Sequence, residues 1–244
     1  MALNLTAAAQ GLTLLQRAIT DFVERIGTGG DVREESRPDL HPIHAGIAVP
    51  AQVSYVARVA AAPPYGDPLS ASLFVAARRL SSGYLYRHIR VQGGAYGGSA
   101  QYDPLSGFFA FLSYRDPHIV ETLKVYGDAI EDLTRNRIPE GELQKTVIGA
   151  IGAMDKPMDP AQRGYTAMIR EFSGITEGMR QAFRDEILGM TAETLQQAAT
   201  RYFAGEERAF AVAVYAAEDK LVRANETMQP MLVVSPLIST NGDQ

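Results

Sequence analysis

The chain has 244 residues, of which 46% are hydrophobic and 21% are charged, so it is long and apolar enough to form a real core and is not disordered along its length. Its net charge of −5 gives no indication of nucleic acid or an anionic membrane as a main partner, and the lack of cysteine excludes disulfides and cysteine–zinc sites. No apolar run approaches the roughly 20 residues of a membrane-spanning helix, and no basic residue precedes the apolar N-terminal stretch as in a signal peptide, so we expect an intracellular protein.

The first part of the chain reads as a helix, a loop and then strands. Residues 10–26 carry apolar residues three and four apart, which predicts one helical face formed by Leu12, Leu15, Ile19, Phe22 and Ile26. The polar, Gly- and Pro-rich stretch that follows predicts a loop. Residues 43–61 predict either two strands or one strand with a bulge at Pro50. We therefore interpret residues 1–35 as a helical linking segment and residues 36–244 as an α+β domain.

A long helix and a hairpin follow in the middle of the chain. Residues 68–91 predict a single helix with Pro68 near its start, ending at Gly93 and Gly94. The turn sequence DPLSG joins AYGGSAQY to FFAFLSY and predicts a β-hairpin. The second strand alternates between two faces, and its aromatic content predicts that both are largely buried: one face has Phe109, Phe111 and Ser113, and the other has Phe108, Ala110, Leu112 and Tyr114.

The rest of the chain is mostly helical. Asp116 and Pro117 predict the N-cap and first residue of a helix, and Asp159-Pro160 predicts another such start. Further helices are expected after Pro139, Thr176 and Thr191 and from Glu218, with strands at 208–216 and in MLVVSPL. Together these elements predict an α+β fold in which a mostly antiparallel sheet is covered by a layer of helices.

Neither a metal site nor a serine nucleophile is indicated by spacing. The four histidines are His41, His44, His88 and His118, and none lies in an H-E-x-x-H or H-x-x-E-H motif. The pair His41–His44 straddles a proline, so we interpret it as two loop histidines and predict no metal ligands. No G-x-S-x-G motif is present, so a triad built on Ser99 has no support from spacing.

The stretch RHIRVQGGAYGG contains four glycines around Tyr96, with Arg90 six residues before it. Gly93 and Gly98 have the spacing of a phosphate-binding loop, but Ser99-Ala100 replaces the required Lys-Ser/Thr pair, and the stretch leaves a helix instead of beginning one. Two interpretations remain. Arg90 and Tyr96 either donate hydrogen bonds to a ligand lying against an open glycine strand, or Arg90 pairs with an acid and Tyr96 packs in a core.

A resemblance to a known family extends over nearly the whole chain. RVQGGAYGG, the hairpin, and FLSYRDPHIVETLKVY resemble the C-terminal region of the presequence protease family, which belongs to the pitrilysin/insulinase superfamily of zinc metallopeptidases. The likeness continues through VIGAIGAMDKPMDPAQRGYTAMIREFSGITEGMRQAFRDEIL and reaches back to IAVPAQVSYVARVA. It implies a metallohydrolase-like domain, the last of four in a clamshell whose zinc is bound by the N-terminal half.

The same resemblance implies a role for the glycine stretch. Arg90 would hold a substrate backbone carbonyl, and Tyr96 would be catalytic by donating a hydrogen bond to the scissile-bond oxygen. Gly93 and Gly94 would keep the strand open for the substrate, an unfolded peptide. The implied partner is the N-terminal half of the same enzyme, without which the domain is inactive, in a bacterial cytoplasm or an organelle matrix. The alternative is a non-catalytic peptide-binding or scaffold subunit on the same fold.

Overall fold

The computed structural model describes residues 3–26, 43–203 and 210–237. These residues form two compact units, one made of residues 3–26 with 156–176 and the other of residues 43–155 with 177–203 and 210–237. The predicted boundary at residue 35 lies outside the described residues. Nowhere in these three ranges is a helix long and apolar enough to cross a membrane.

The smaller unit contains two amphipathic helices, α1 (Ala9–Ile26) and α5 (Pro160–Phe172). The predicted cap of α5 is confirmed: the Asp159 carboxylate accepts from the Gln162 N–H at 2.8 Å, and Gln162 returns a bond to the Asp159 backbone. The predicted helix at 10–26 is also confirmed. Its apolar face, however, is not buried, because α1 has no buried residue.

The larger unit is built on a six-stranded sheet in the order β3-β4-β2-β5-β1-β6. The strands are β1 (His44–Ala48), β2 (Ser54–Ala61), β3 (Gly97–Asp103), β4 (Phe108–Asp116), β5 (Ala211–Ala216) and β6 (Val233–Pro236). The pairs β3–β4, β4–β2 and β2–β5 are antiparallel, whereas β5–β1 and β1–β6 are parallel. The mostly antiparallel sheet is therefore confirmed, and residues 43–61 form two strands.

The helices of this unit lie on one face of the sheet. They are α2 (Ser70–Ser82), α3 (Val120–Arg135), α4 (Glu140–Met154), α6 (Glu177–Leu188), α7 (Ala192–Phe203) and α8 (Glu218–Asn225). The core lies between this layer and the sheet, where Phe109 and Phe111 of β4 meet Tyr126 of α3 and Tyr202 of α7. This arrangement confirms the α+β fold with a helical layer.

The prediction of a single long helix at 68–91 is wrong, because the helix is interrupted. α2 ends at Ser82, and after Gly83 the chain passes into a π-helical turn over Tyr86–Gln92. The buried residues shift accordingly, because Leu80 is followed by Leu85, five positions on, and then by Ile89. This five-residue step spans the break at Gly83, ahead of the π-helical turn, and it rotates the side chains that follow it relative to α2.

The expected helix start at Asp116-Pro117 is also wrong. Asp116 ends β4, and α3 begins at Val120. The buried Asp116 carboxylate accepts hydrogen bonds from the His118 N–H at 2.9 Å and the Thr122 hydroxyl at 2.8 Å. It therefore holds the strand-to-helix connection together instead of capping a helix at its own position.

Candidate active site

Arg90 and Tyr96 lie on one short connection between the helical layer and the edge of the sheet. Arg90 is near the end of the π-helical turn, and Tyr96 directly precedes β3. The connection is anchored on both sides, because the Ala95 N–H donates to the Ile89 carbonyl at 3.1 Å and the Tyr96 N–H donates to the Arg115 carbonyl at 3.4 Å. The backbone around Tyr96 is thus fixed while its side chain is free to reach outward.

The Arg90 guanidinium lies near two tyrosine rings. Its central carbon is 5.6 Å from the ring centre of Tyr86 and 5.7 Å from that of Tyr96, within cation–π range. Arg90 is exposed, and none of the ion pairs among the described residues includes it. Tyr96 is 65% exposed. The interpretation in which Arg90 pairs with an acid and Tyr96 packs in a core therefore does not describe these residues.

The four glycines of this stretch differ in whether the structure requires glycine at their positions. A Cβ on Gly93 would lie 2.7 Å from the Ile89 carbonyl oxygen, and Gly94 has a φ of 75°, which favours glycine. A Cβ on Gly98 would lie 2.8 Å from the Cβ of Ile89. Only a Cβ on Gly97 would meet nothing within 4 Å. The backbone thus accounts for Gly93 and Gly94, and their contact with a substrate stays a prediction.

Backbone irregularities converge on this site. Arg115, whose carbonyl holds Tyr96, has a φ of 51°, which is uncommon for a residue with a side chain. It lies in a β-bulge, because Ser54 pairs with Asp116 but Val56 pairs with Ser113, so β4 carries one extra residue. Bulges, π-helical turns and left-handed residues are all found often at functional sites, where they direct a side chain that regular structure would misplace.

The sheet face away from the helices carries a line of tyrosines that the sequence did not reveal. Tyr114 was expected to be buried, but it is 50% exposed, because no helix of this unit covers its face. Its ring packs edge-on against Tyr96, with centroids 5.6 Å apart, and against Tyr55 at 5.4 Å. The neighbouring strand places Tyr215 directly opposite Tyr55. We call Tyr96, Tyr114, Tyr55 and Tyr215 the tyrosine row.

The histidines and Ser99 do not form a nucleophile–base pair within the part of the chain that the structure describes. The His88 ring packs against Tyr84, and His118 lies 3.8 Å from the Glu121 carboxylate. No hydrogen bond among the described residues joins either histidine to Ser99. No group of three or more His, Asp and Glu residues within those ranges is placed to hold a metal ion, so the residues present do not fit a zinc site. His41 lies outside the described residues.

His44 lies instead at a cleft of about 780 Å³ on the helical side of the sheet. The Arg58 guanidinium stacks on Phe210 there, 4.0 Å from the ring centre, and Lys124 also lines the cleft. Burial lowers the pKa of Arg58. This cleft is on the opposite face from the tyrosine row and shares no residue with it.

Comparison with known proteins identifies one family. Residues 45–217 match the model of the PreP C-terminal domain. The chain is 33% identical over 226 residues to presequence protease 1, chloroplastic/mitochondrial, of Arabidopsis thaliana, covering 91% of the chain and 21% of that protein. It is 28% identical over 218 residues to the mitochondrial presequence protease of Saccharomyces cerevisiae, covering 86% of the chain and 22% of that protein. The chain thus spans about a fifth of the length of these relatives.

Solved structures share the fold. A peptidase M16 inactive domain from Pseudomonas fluorescens superimposes with a TM-score of 0.63 at 16% identity, covering 84% of this chain and 51% of that one. Pitrilysin superimposes with a TM-score of 0.61 at 14% identity, covering 94% of this chain and 25% of that one. At these identities the structural likeness extends to the fold alone.

Proposed function

The chain belongs to the family of presequence protease C-terminal domains, and from this premise we propose that it is the substrate-facing domain of a longer zinc metalloendopeptidase that cleaves unfolded peptides. The observation that carries the proposal is the Arg90–Tyr96 pair. Both side chains are exposed, the guanidinium carbon is 5.7 Å from the centre of the Tyr96 ring, and the described residues supply Arg90 with no acidic partner.

Arg90 is assigned to substrate binding. Its guanidinium presents several N–H donors in a fixed plane, which suits a backbone carbonyl of an extended peptide. The rings of Tyr86 and Tyr96 near it limit the directions that the side chain takes, so less freedom is lost when a substrate binds. Gly93 and Gly94 are assigned to the same binding site, where the chain reverses without side chains that obstruct a peptide.

Tyr96 is assigned to transition-state stabilisation. When a peptide bond is attacked, negative charge develops on the carbonyl oxygen, and a preorganised donor lowers the energy of that state. The Tyr96 hydroxyl is such a donor at the end of a rigid ring whose backbone is held by the Arg115 carbonyl. Gly97, beside it, leaves open space where a side chain would project.

The remaining parts of the active site are assigned to the rest of the enzyme. Since the described residues offer no metal-binding group, we assign the zinc site to the N-terminal half of the longer protein, which is also the expected partner. In this proposal residues 1–35 join the preceding domain, the chain alone is inactive, and it has no nucleic acid or membrane partner. The relatives are named mitochondrial or chloroplastic, and an organelle matrix or a bacterial cytoplasm is the proposed compartment.

The test is to join the chain to its N-terminal half and replace Tyr96 by Phe, which removes only the hydroxyl. Loss of one oxyanion donor lowers the rate by about 10²- to 10³-fold, so kcat/KM on an unfolded peptide should fall by that amount. Tyr84→Phe is the matched control, because Tyr84 packs against His88 on the helical side. An unchanged kcat/KM for Tyr96→Phe would remove the tyrosine from the mechanism.

A second function is a non-catalytic peptide-binding or scaffold subunit on the same fold. It is suggested by the fold shared with an M16 domain that is named inactive, while the lack of a metal-binding group among the described residues is expected of both functions. The coding sequence upstream distinguishes the two functions. An H-x-x-E-H motif in the same reading frame excludes the scaffold, whereas a complete frame without one excludes the peptidase.

A further inference from the structure

The open face of the sheet extends the candidate site far beyond Arg90 and Tyr96. The tyrosine row begins at Tyr96 and crosses β4, β2 and β5 through Tyr114, Tyr55 and Tyr215. Three inter-strand spacings of about 4.8 Å make the row about 14 Å long, the length of about four residues of extended peptide. Tyr96 is thus the outer end of a row of four tyrosines, in which edge-on ring contacts join the first three and strand pairing places the fourth opposite Tyr55.

This face is almost free of charge. The side chains on this face belong to every second residue of each strand. The first such residues are Ala45 in β1, Tyr55 in β2, Gly97 in β3, Phe108 in β4, Ala211 in β5 and Val233 in β6. Among these residues, up to the bulge at Arg115, Asp103 is the one charged residue, and it ends β3 away from the tyrosines. Solvent-facing protein surfaces are commonly about a quarter charged, and the loss of charge with tyrosine enrichment is typical of binding surfaces.

A shallow trough lies beside the tyrosine row. Ala57 pairs with Ala213, and Ala213 pairs with Ala45, so three neighbouring strands present methyl groups side by side. In each of these strands the alanine lies two residues from the residue that is in line with the tyrosine row. These residues are Tyr55 in β2, Tyr215 in β5 and Ile47 in β1. Small side chains next to large rings leave a groove, whose floor is apolar and whose wall is aromatic.

The kind of ligand that binds this face can be inferred from the fact that the face is continuous with the Arg90–Tyr96 pair. A permanent partner covering this face would also cover Tyr96, which is 65% exposed and must stay open to reach a substrate. We propose that the tyrosine row and the alanine trough bind an extended, uncharged stretch of the peptide substrate that carries aromatic or aliphatic side chains. This inference rests on the proposed function and adds to it a preference for apolar residues on one side of the cleaved bond.

The chemistry of the row supports this class of ligand. Tyrosine supplies a large rigid surface that orders at little entropic cost, together with a hydroxyl that bonds to peptide groups. Away from Arg90, the part of the face around Tyr55, Ala57, Ala213 and Tyr215 carries no charged side chain, so a charged substrate residue placed there would lose its hydration without an ion pair to compensate. Apolar and aromatic substrate residues are therefore favoured over acidic ones.

Binding of two labelled peptides to the 244-residue chain tests the inference. The peptides are equal in length and differ at four successive positions, which are Phe and Leu in one and Ser and Glu in the other. Fluorescence anisotropy should give a Kd at least about tenfold lower for the apolar peptide. Each of Tyr55→Thr and Tyr215→Thr should raise that Kd by about three- to tenfold, the worth of one aromatic contact.

Threonine keeps a strand-forming residue at both positions, and the melting temperature of each variant verifies the fold. Ile148→Ala is the control, because Ile148 is an exposed apolar residue of α4 in the helical layer. Equal Kd values for the two peptides, or tyrosine variants that bind like Ile148→Ala, overturn the inference. So does sedimentation in which the tyrosine variants abolish self-association without changing peptide binding, since the face is then an interface between copies.

The two proposals fail separately. If Tyr96→Phe leaves kcat/KM unchanged while Tyr215→Thr weakens peptide binding, the peptide platform holds and the transition-state role is wrong. If Tyr96→Phe lowers kcat/KM while both threonine variants bind the apolar peptide normally, the transition-state role holds and the platform is wrong.

Discussion

The two faces of the sheet use aromatic side chains in opposite ways. On the helical face Tyr126 and Tyr202 are fully buried, and their hydroxyls donate to the carbonyls of Val56 at 3.0 Å and Ala61 at 2.8 Å. On the open face Tyr96 and Tyr215 stay 65% and 39% exposed. The same residue type thus stabilises the fold where helices cover it and is available for binding where they do not.

Substitutions of tyrosines on the two faces should differ most in how much they lower the free energy of unfolding. Tyr126→Ala leaves a cavity beneath α3 and should lower the free energy of unfolding by about 3–5 kcal/mol. Tyr215→Thr removes a side chain that is partly in water and should change it by less than about 1 kcal/mol. Urea denaturation of both variants measures the contrast, and equal losses would mean that the open face is part of the core.

A buried tyrosine of the helical face, Tyr102, should also make the stability of the protein depend on pH in the alkaline range. Burial on the helical face raises its pKa to about 12, an effect that the Asp67 carboxylate reinforces and the hydrogen bond with Ser70 partly offsets. A tyrosine of the unfolded chain ionises near 10, so the unfolded state loses this proton first and stability falls as pH rises. The contribution is complete below about pH 10 and declines by about 2 kcal/mol by pH 12.

Tyr102→Phe isolates this effect, because every other tyrosine is common to both proteins. Urea denaturation from neutral pH to about pH 12 should show the stability advantage of the wild-type protein shrinking above about pH 10. A constant difference across that range would show that Tyr102 ionises equally easily in both states.

The adjacent glycines of β3 provide a matched pair across the sheet. Gly98 faces Ile89 of the helical layer, and an added methyl group would overlap it, so Gly98→Ala should cost about 1–3 kcal/mol. Gly97→Ala meets open space and should cost less than about 0.5 kcal/mol. Thermal denaturation compares the two, and similar losses would place both residues in packed surroundings.

A small loss of stability is expected from one hydroxyl at the outer edge of β3. The Ser81 hydroxyl accepts from the Ala100 N–H at 2.8 Å and lies 2.9 Å from the Ala100 carbonyl oxygen. Ser81→Ala removes both contacts and should cost about 1 kcal/mol. Ser82→Ala is the control, since the Ser82 hydroxyl donates to the Arg78 carbonyl within its own helix. If both variants melt alike, Ser81 does not secure this strand edge.

Local signals in the sequence account for the helices and the hairpin. The apolar spacing of residues 10–26 and the cap at Asp159 depend on neighbouring residues, and the structure confirms both. The break after Ser82 was missed because glycine is tolerated inside helices, although the five-residue step from Leu80 to Leu85 was a visible signal. Asp116 was misjudged because an N-cap also accepts from the backbone N–H two residues on, as Asp116 does from His118, so the local pattern does not distinguish a helix cap from the end of a strand.

The tyrosine row was not predictable in the same way. Tyr55, Tyr114 and Tyr215 lie far apart in the chain, and alternation along β4 indicates two faces without telling which face helices cover. Their meeting depends on the strand order, in which β2 lies between β4 and β5. Arg90 and Tyr96 were found because one stretch contains both, together with glycines that are unusual in such number.

The two ends of the tyrosine row provide the most direct test of the account. Steady-state hydrolysis of one unfolded apolar peptide by the chain joined to its N-terminal half should be compared for Tyr96→Phe and Tyr215→Thr. We expect Tyr96→Phe to lower kcat by about 10²-fold or more with little change in KM, and Tyr215→Thr to act mainly by raising KM. A Tyr96→Phe enzyme that keeps its kcat and changes only KM would contradict the transition-state role of this tyrosine.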